Sequence, residues 1–201
     1  MGKLFFDKID YNQVLLESEK FIVIPSLGSL VEGWLLIIPK QFHINLSQLD
    51  NEHMDDLVGL IRKVEDQVLP KFGEKYVLFE HGPQNLKSKT GCGVDYAHLH
   101  FVPFDSDLKD GLRSFLGLNY HWKEVKDISN LSDYKNAEKD YLFLIDQSGK
   151  ATITFQENIL SQTFRQVIAS YLGRPDEFDW KCNFKEDNIH STINKLAYLE
   201  S

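Results

Sequence analysis

The chain begins with short apolar stretches whose residues favour strands, and an amphipathic helix follows them. The hydrophobic pattern predicts strands over residues 14–17, 21–25 and 30–39, joined by turns rich in serine and glycine. From residue 49 to residue 68 the apolar positions recur at helical spacing, after a Ser-x-x-Asp sequence that resembles a capping box. The first third of the chain therefore predicts an antiparallel meander followed by one long helix.

The middle of the chain returns to the strand pattern. Strands are expected over residues 76–79 and 96–102, separated by a polar loop over residues 80–93. The second of these strands ends at Pro103, because proline has no N–H to donate to a neighbouring strand. With the preceding meander and helix, these strands predict an α+β fold, an antiparallel sheet with packed helices.

The last ninety residues predict a further folded region. Two β-rich runs, 141–145 and 151–155, flank a loop that contains glycine and predict a hairpin. Residues 161–172 predict a helix, because their apolar positions form one stripe and glycine follows. We therefore expect one domain over residues 1–110 and a C-terminal α/β extension, hairpin plus helix, over residues 111–201.

Composition narrows the class of protein. The chain has 201 residues, 42% of them hydrophobic, and a formal net charge of −8. Such an acidic chain is poorly suited to duplex nucleic acid, since that binding depends on neutralising phosphates. Its longest apolar runs are far shorter than the roughly 20 residues that span a bilayer, and its N-terminus lacks a signal-peptide core. We expect a cytoplasmic protein that has neither duplex nucleic acid nor a membrane as partner.

Two histidines carry the clearest candidate chemistry. His98 and His100 follow a glycine-rich turn, and alternate residues of a strand share a face, so both imidazoles are expected to project together with Tyr96 beside them. A neutral imidazole is a competent nucleophile near pH 7. The glycines allow backbone amides to approach an anion closely. The segment therefore predicts a phosphate site that contains a nucleophile.

This segment resembles the signature of the histidine triad (HIT) nucleotide hydrolases and transferases. That signature has three histidines at alternate positions, and its middle histidine attacks the α-phosphate of a nucleotide. The middle histidine falls on His98 and the last on His100, whereas the first falls on Tyr96. A hydroxyl residue common in the glycine-rich turn falls on Gly93, and a common asparagine before the turn falls on Glu80.

A second segment is similar to the same family. Residues 32–43 follow the form of a family strand, Gly-His-x-Leu-hydrophobic-Ile-Pro-Lys, with Trp34 at the position where a histidine is usual. Together the two segments extend the resemblance over about residues 4–105. It implies a HIT-like fold and a homodimer.

The resemblance also implies an activity. The expected enzyme is a nucleotide hydrolase or nucleotidyltransferase that acts at the α-phosphate of a nucleotide or dinucleoside polyphosphate, through a nucleotidyl-histidine intermediate. His98 would attack the phosphorus, and His100 would donate to a non-bridging oxygen. The base would lie in an apolar cleft of the early strands, with walls drawn from Phe21, Ile22, Leu30 and Ile38. No cofactor or resident metal is required, although a divalent cation can accompany a polyphosphate substrate.

Further residues are candidates for contact with the nucleotide. One group lies in or beside the glycine-rich turn, where backbone amides can bind phosphate. The other lies in the C-terminal extension and has side chains suited to binding phosphate. The first group is Gly91, Gly93, Val94, Tyr96, His81 and Glu80, and the second is Arg165 and Gln162.

Two alternatives to the enzyme remain open. One is a non-catalytic nucleotide-binding module that keeps the fold without turnover, because Tyr96 and Gly93 depart from the family pattern. The other is a metal-binding protein in which His98 and His100 are ligands with a carboxylate such as Glu80 or Asp95. No spacing in the sequence marks that third ligand.

Overall fold

The computed structural model describes residues 13–86, 88, 90 and 96–197. Within these ranges the core is one antiparallel sheet of eight strands, in the order β1-β2-β3-β5-β4-β7-β8-β6. The strands are β1 (Leu16–Glu17), β2 (Phe21–Pro25), β3 (Leu35–Pro39), β4 (Tyr76–Gly82), β5 (Leu99–Pro103), β6 (Lys123–Glu124), β7 (Tyr141–Ile145) and β8 (Ala151–Phe155). The helices are α1 (Asn51–Gln67), α2 (Leu108–Leu116), α3 (Thr163–Tyr171) and α4 (Glu186–Leu196). The predicted α+β class is confirmed.

One face of the sheet packs against α1. This helix begins two residues later than the sequence predicts, because Asp50 rather than Ser47 is its N-cap: the Asp50 carboxylate accepts the His53 amide at 2.9 Å and satisfies one of the free N–H groups of the first turn. The apolar stripe of α1 then contributes side chains such as Leu57 and Val64 to the same buried cluster as Phe21 and Leu99. Alternation along the strands thus commits every second residue to this face.

The opposite face packs against α2 and α3. These two helices approach closely at Gly111, where a Cβ atom would lie 2.3 Å from Val167 and 2.6 Å from the Tyr171 ring. Their apolar residues share a buried cluster with Trp34 and Phe79. The C-terminal region therefore covers the face that carries His100.

The sheet continues from the first hundred residues into the C-terminal region. β4 pairs with β7 over five residue pairs, from Leu78 with Ile145 to Gly82 with Tyr141, and β7 pairs with β8 as the predicted hairpin. The expected boundary at residues 110–111 lies inside α2. The division into two domains stays a prediction, while the hydrogen-bonded sheet spans both parts.

Several element boundaries differ from those predicted. β3 begins at Leu35 rather than residue 30, because the preceding loop turns at Gly33 (φ 75°). β4 continues three residues beyond the expected end, to Gly82, and β5 begins at Leu99, after His98. The sequence does not predict α2 or α4, because both helices lie in polar stretches of the chain. No helix among the described residues is both long and apolar enough to cross a bilayer.

Candidate functional site

The two motif histidines lie together near the middle of the sheet. His100 lies in β5, opposite Leu36 of β3 on one side and Phe79 of β4 on the other, and His98 immediately precedes β5. Their ring centroids are 4.9 Å apart, and the two residues are 6% and 5% exposed. The predicted pairing on one face is confirmed.

His98 is held in one tautomer by the backbone. Its Nδ1 lies 2.7 Å from the Tyr96 carbonyl oxygen, which can only accept, so Nδ1 carries the proton and Nε2 keeps its lone pair. Burial lowers the pKa of His98, although the bond to the Tyr96 carbonyl partly opposes that shift. The ring is therefore neutral near pH 7, with an unprotonated Nε2.

His100 is held in the opposite tautomer. The Trp34 indole Nε1–H donates to His100 Nδ1 at 3.0 Å, so the proton of the neutral ring lies on Nε2. The ring also stacks on Phe79, with centroids 4.5 Å apart and planes 23° apart. Burial, followed by the nearby His98, His81 and Arg165, holds the pKa of His100 well below its usual range.

A third imidazole, that of His81, lies beside this pair. It is 2% exposed, and its ring centroid is 6.3 Å from that of His100. The Phe164 amide donates a long 3.5 Å hydrogen bond to Nε2, which places the proton on Nδ1, and Nδ1 is buried with no partner among the described residues. Burial, with His98 and Arg165 nearby, lowers the pKa of His81 to about 3. His81 is a neutral ring with a spare donor.

Tyr96 stands where the family signature has its first histidine, and the structure gives it different partners. Its hydroxyl donates to the Pro39 carbonyl at 2.8 Å, and its ring meets the exposed Phe42 edge-on at 5.4 Å. It also packs against a small apolar cluster that includes Leu36 and Ile38. Tyr96 therefore joins the β2–β3 end of the site rather than contacting His98 through its hydroxyl.

Glu80 lies on the opposite face of the sheet, away from the histidines. It is 1% exposed, and its oxygens accept the Leu46 amide at 2.7 Å and the Tyr141 hydroxyl. Burial raises the pKa of Glu80 to about 8, against the effect of those two donors. The predicted strand ends three residues too early, at Phe79. Because β4 continues to Gly82, alternation places Glu80 on the face of the sheet opposite to that of Phe79 and His81. The structure thus does not bring Glu80 to the site.

The four residues expected to wall the base cleft divide between the two faces. Ile22 and Ile38 pack together with Tyr96 on the face of the histidines. Phe21 points to the α1 face, whereas Leu30 packs in the cluster under α2 and α3. Phe21 is therefore the one of the four that lies on the face away from the histidines.

Arg165 and Gln162 both have structural partners near the site. The Arg165 guanidinium lies 4.6 Å from the Trp34 ring centroid, and its Nε donates to the Phe178 carbonyl at 3.0 Å. Gln162 has a left-handed backbone (φ 58°), and its side chain bonds Asp179 and the amide of Trp180. Arg165 therefore reaches the histidines through Trp34, and Gln162 fixes the start of α3.

The glycine-rich turn lies outside the described residues, with the predicted contacts Gly91, Gly93 and Val94. The segment before it is anchored by Asp140, a residue that no sequence pattern singles out. Its carboxylate accepts the Gln84 amide at 2.8 Å and the hydroxyls of Ser88 and Thr90 at 2.5 and 2.7 Å. A residue of the C-terminal region thus fixes the approach to the turn.

The described side chains form no cluster of three or more His, Cys, Asp or Glu suited to a metal ion. The metal-binding alternative needs a carboxylate beside His98 and His100. Glu80 lies across the sheet, and Asp95 is outside the described residues. The placement of Glu80 removes one of the two ligands that this alternative named.

Three solved structures show similarity to the chain at low identity. A hypothetical histidine triad nucleotide-binding protein from Sulfolobus tokodaii is 22% identical, with a TM-score of 0.39; the match covers 47% of this chain and 62% of that one, less than two thirds. A HIT-like protein involved in cell-cycle regulation from Bartonella henselae is 20% identical over 45% of this chain and 67% of that one, with a TM-score of 0.37. The yeast Ap4A phosphorylase, in complex with AMP, is 11% identical over 82% of this chain and 72% of that one, with a TM-score of 0.40.

The family is shown by a family model rather than by these neighbours. No curated protein matches the chain. The model described as HIT domain matches residues 8–107, which include β1 to β5, α1 and both motif histidines. Through these residues the chain belongs to the HIT-domain family.

Proposed function

We propose that this protein is a nucleotidyl hydrolase or transferase that acts at the α-phosphate of a nucleotide or dinucleoside polyphosphate. The observation that carries the proposal is the pair of opposite tautomers: His98 keeps a lone pair on Nε2, and His100 holds a proton on Nε2. One ring is thereby suited to attack phosphorus and its neighbour to donate to a phosphate oxygen.

The reaction follows as two displacements. The lone pair on Nε2 of His98 forms a bond to the α-phosphorus while the phosphorus–oxygen bond to the leaving group breaks and its electron pair departs with that oxygen. The positive charge on the ring is stabilised by the Nδ1–H bond to the Tyr96 carbonyl. Water or phosphate then attacks the phosphorus, the phosphorus–nitrogen bond breaks and the lone pair returns to Nε2. When water attacks, its released proton passes to solvent.

The donors around the phosphate are neutral rings. His100 donates from Nε2 to a non-bridging oxygen, where charge develops in the transition state. His81 offers a second buried donor, Nδ1–H, next to His100. The amides of Gly91, Gly93 and Val94 complete the proposed phosphate contacts, and the base lies against Ile22 and Ile38.

The substrates to test include the class on which the yeast neighbour acts. That protein is an Ap4A phosphorylase that holds AMP. We include dinucleoside polyphosphates, and phosphate as an acceptor, in the proposed substrate range. The reaction requires no resident cofactor, and we propose a cytoplasmic homodimer.

A turnover screen over nucleotides and dinucleoside polyphosphates, with water or phosphate as acceptor, tests the proposal. The wild type is expected to release a mononucleotide, His98→Ala to abolish release, and His98→Asn to keep nucleotide binding in a thermal-shift assay. Turnover by His98→Ala at the wild-type rate would contradict the proposal. Nucleotide binding by the wild type without any turnover would instead favour the non-catalytic module.

A further inference from the structure

Trp34 connects the C-terminal region to His100. Its side chain is fully buried, and the indole Nε1 lies 3.0 Å from His100 Nδ1. On the other side, the Arg165 guanidinium lies 4.6 Å from the indole centroid. A continuous set of contacts thus runs from α3 to the ring that we assign as phosphate donor.

The indole determines the direction of the hydrogen bond. An indole N–H can donate but has no lone pair with which to accept, so the bond exists only while His100 Nδ1 is unprotonated. Breaking it would leave a buried donor without a partner, which is unfavourable. Trp34 therefore favours the neutral His100 ring whose proton is on Nε2.

The Arg165 guanidinium packs over the ring of the Trp34 indole. Its own position is fixed by two backbone carbonyls, since Nε donates to Phe178 and Nη2 to Gly28. A guanidinium over an indole face is attracted by the ring electrons. Its charge also opposes a second positive charge nearby. The titratable and charged groups that face His100 are His98 just before β5, His81 on β4 and Arg165 on α3.

We propose that Trp34 and Arg165 are positioning residues that hold the proton of His100 on Nε2, so that this ring serves the site as a neutral donor. The proposal rests on the proposed function for its catalytic consequence. It also assigns a role at the site to the C-terminal region, because Arg165 lies outside the matched HIT domain.

The tautomer of His100 can be measured without substrate. Histidine labelled with nitrogen-15 reports by NMR which ring nitrogen carries the proton and where the ring titrates, and His100→Gln assigns the signal. In the wild type we expect a single tautomer protonated on Nε2. Trp34→Phe keeps the ring and removes the N–H, so we expect mixed tautomers, titration at higher pH and a loss of about tenfold in kcat. The control Trp122→Phe is expected to leave the His100 tautomer, its titration and kcat unchanged.

The charge of Arg165 is tested separately. Arg165→Met is expected to move the acid limb of the kcat profile to higher pH, and Arg165→Lys to restore it in part because the charge is kept. Arg174→Met is the control, since Arg174 bonds the Leu30 carbonyl and Glu177 instead. If Arg165→Met does not fold, the tautomer of His100 in the Trp34→Phe variant tests the proposal instead. A wild-type tautomer and titration in Trp34→Phe would overturn the proposal.

Failure of this inference and failure of the proposed function give different results. A fixed His100 tautomer in a wild-type protein that turns over no nucleotide would contradict the proposed function and leave the positioning role in place. If turnover depends on His98 but Trp34→Phe leaves the tautomer of His100 unchanged, the positioning role alone is contradicted.

Discussion

The rings of His98 and His100 lie 4.9 Å apart and carry their protons on opposite nitrogens. A backbone carbonyl sets the tautomer of the first, and an indole N–H sets that of the second. Because both rings are buried and neutral, neither needs to lose a proton before it acts near pH 7. The motif supplies the two imidazoles, and their surroundings set the tautomer of each.

Tyr96→His tests the departure from the family signature. We expect it to raise the rate of nucleotidyl transfer by up to about tenfold, because a third imidazole would support the other two. The measurement is kcat with the best substrate of the screen. Tyr96→Phe, which loses only the hydroxyl bond to Pro39, is the control and should lower stability by about 1 kcal/mol without raising kcat. A fall in kcat for Tyr96→His in a folded protein would contradict the expectation.

Glu80→Gln tests the buried carboxyl on the opposite face. The pKa of Glu80 is about 8 in the folded protein and near 4.5 when unfolded, so unfolding at intermediate pH releases a proton. Stability from this group is therefore full below about pH 4.5 and is lost as pH rises towards 8, by up to about 1.4 kcal/mol per pH unit. The free energy of unfolding, measured with denaturant at pH 7 and pH 8, tests this loss of stability.

That pH range isolates Glu80 from the buried histidines. Their pKa values are lowered by folding, so they reduce stability only as pH falls below about 6.5 and are neutral in both states above it. The wild type should lose stability relative to Glu80→Gln between pH 7 and pH 8. Parallel stability curves for the two proteins would show that Glu80 is ionised in the folded state.

Asp140→Ala tests the anchor of the segment before the glycine-rich turn. Loss of three hydrogen bonds is expected to lower stability by about 1–3 kcal/mol, to speed amide exchange at Gln84, Ser88 and Thr90 and to raise KM more than it lowers kcat. Asp105→Ala, which removes an exposed ion pair with Lys75, is the matched control and should cost less than about 1 kcal/mol. Unchanged exchange in Asp140→Ala would refute the anchoring role.

Local sequence patterns are sufficient to predict the strands and helices whose buried side chains form one apolar stripe. β2 and α1 follow from alternation and helical spacing, and the hairpin of β7 and β8 from its two apolar runs. The prediction misplaces Glu80 because it ends the strand at Phe79, whereas β4 continues to Gly82. The alternation of Phe79, Glu80 and His81 was a readable signal that the strand continues and that the carboxylate faces away.

Contacts between distant segments were not accessible to such reasoning. Trp34 meets His100 only because β3 pairs with β5, a neighbour that the order of the chain does not determine. Asp140 and Arg165 reach the site from positions at least fifty residues beyond the segments they touch. No local period marks any of these three residues, so their partners depend on sheet topology and helix docking.

The proposed mechanism depends above all on a covalent bond between His98 and the α-phosphorus. The decisive experiment mixes the enzyme with substrate labelled at the α-phosphate, quenches the reaction under alkaline conditions and maps the label on peptides. We expect an acid-labile nucleotidyl group on Nε2 of His98, absent from His98→Ala and formed fast enough to support turnover. Turnover with no label on the protein, or with the label on another residue, would show that His98 is not the nucleophile.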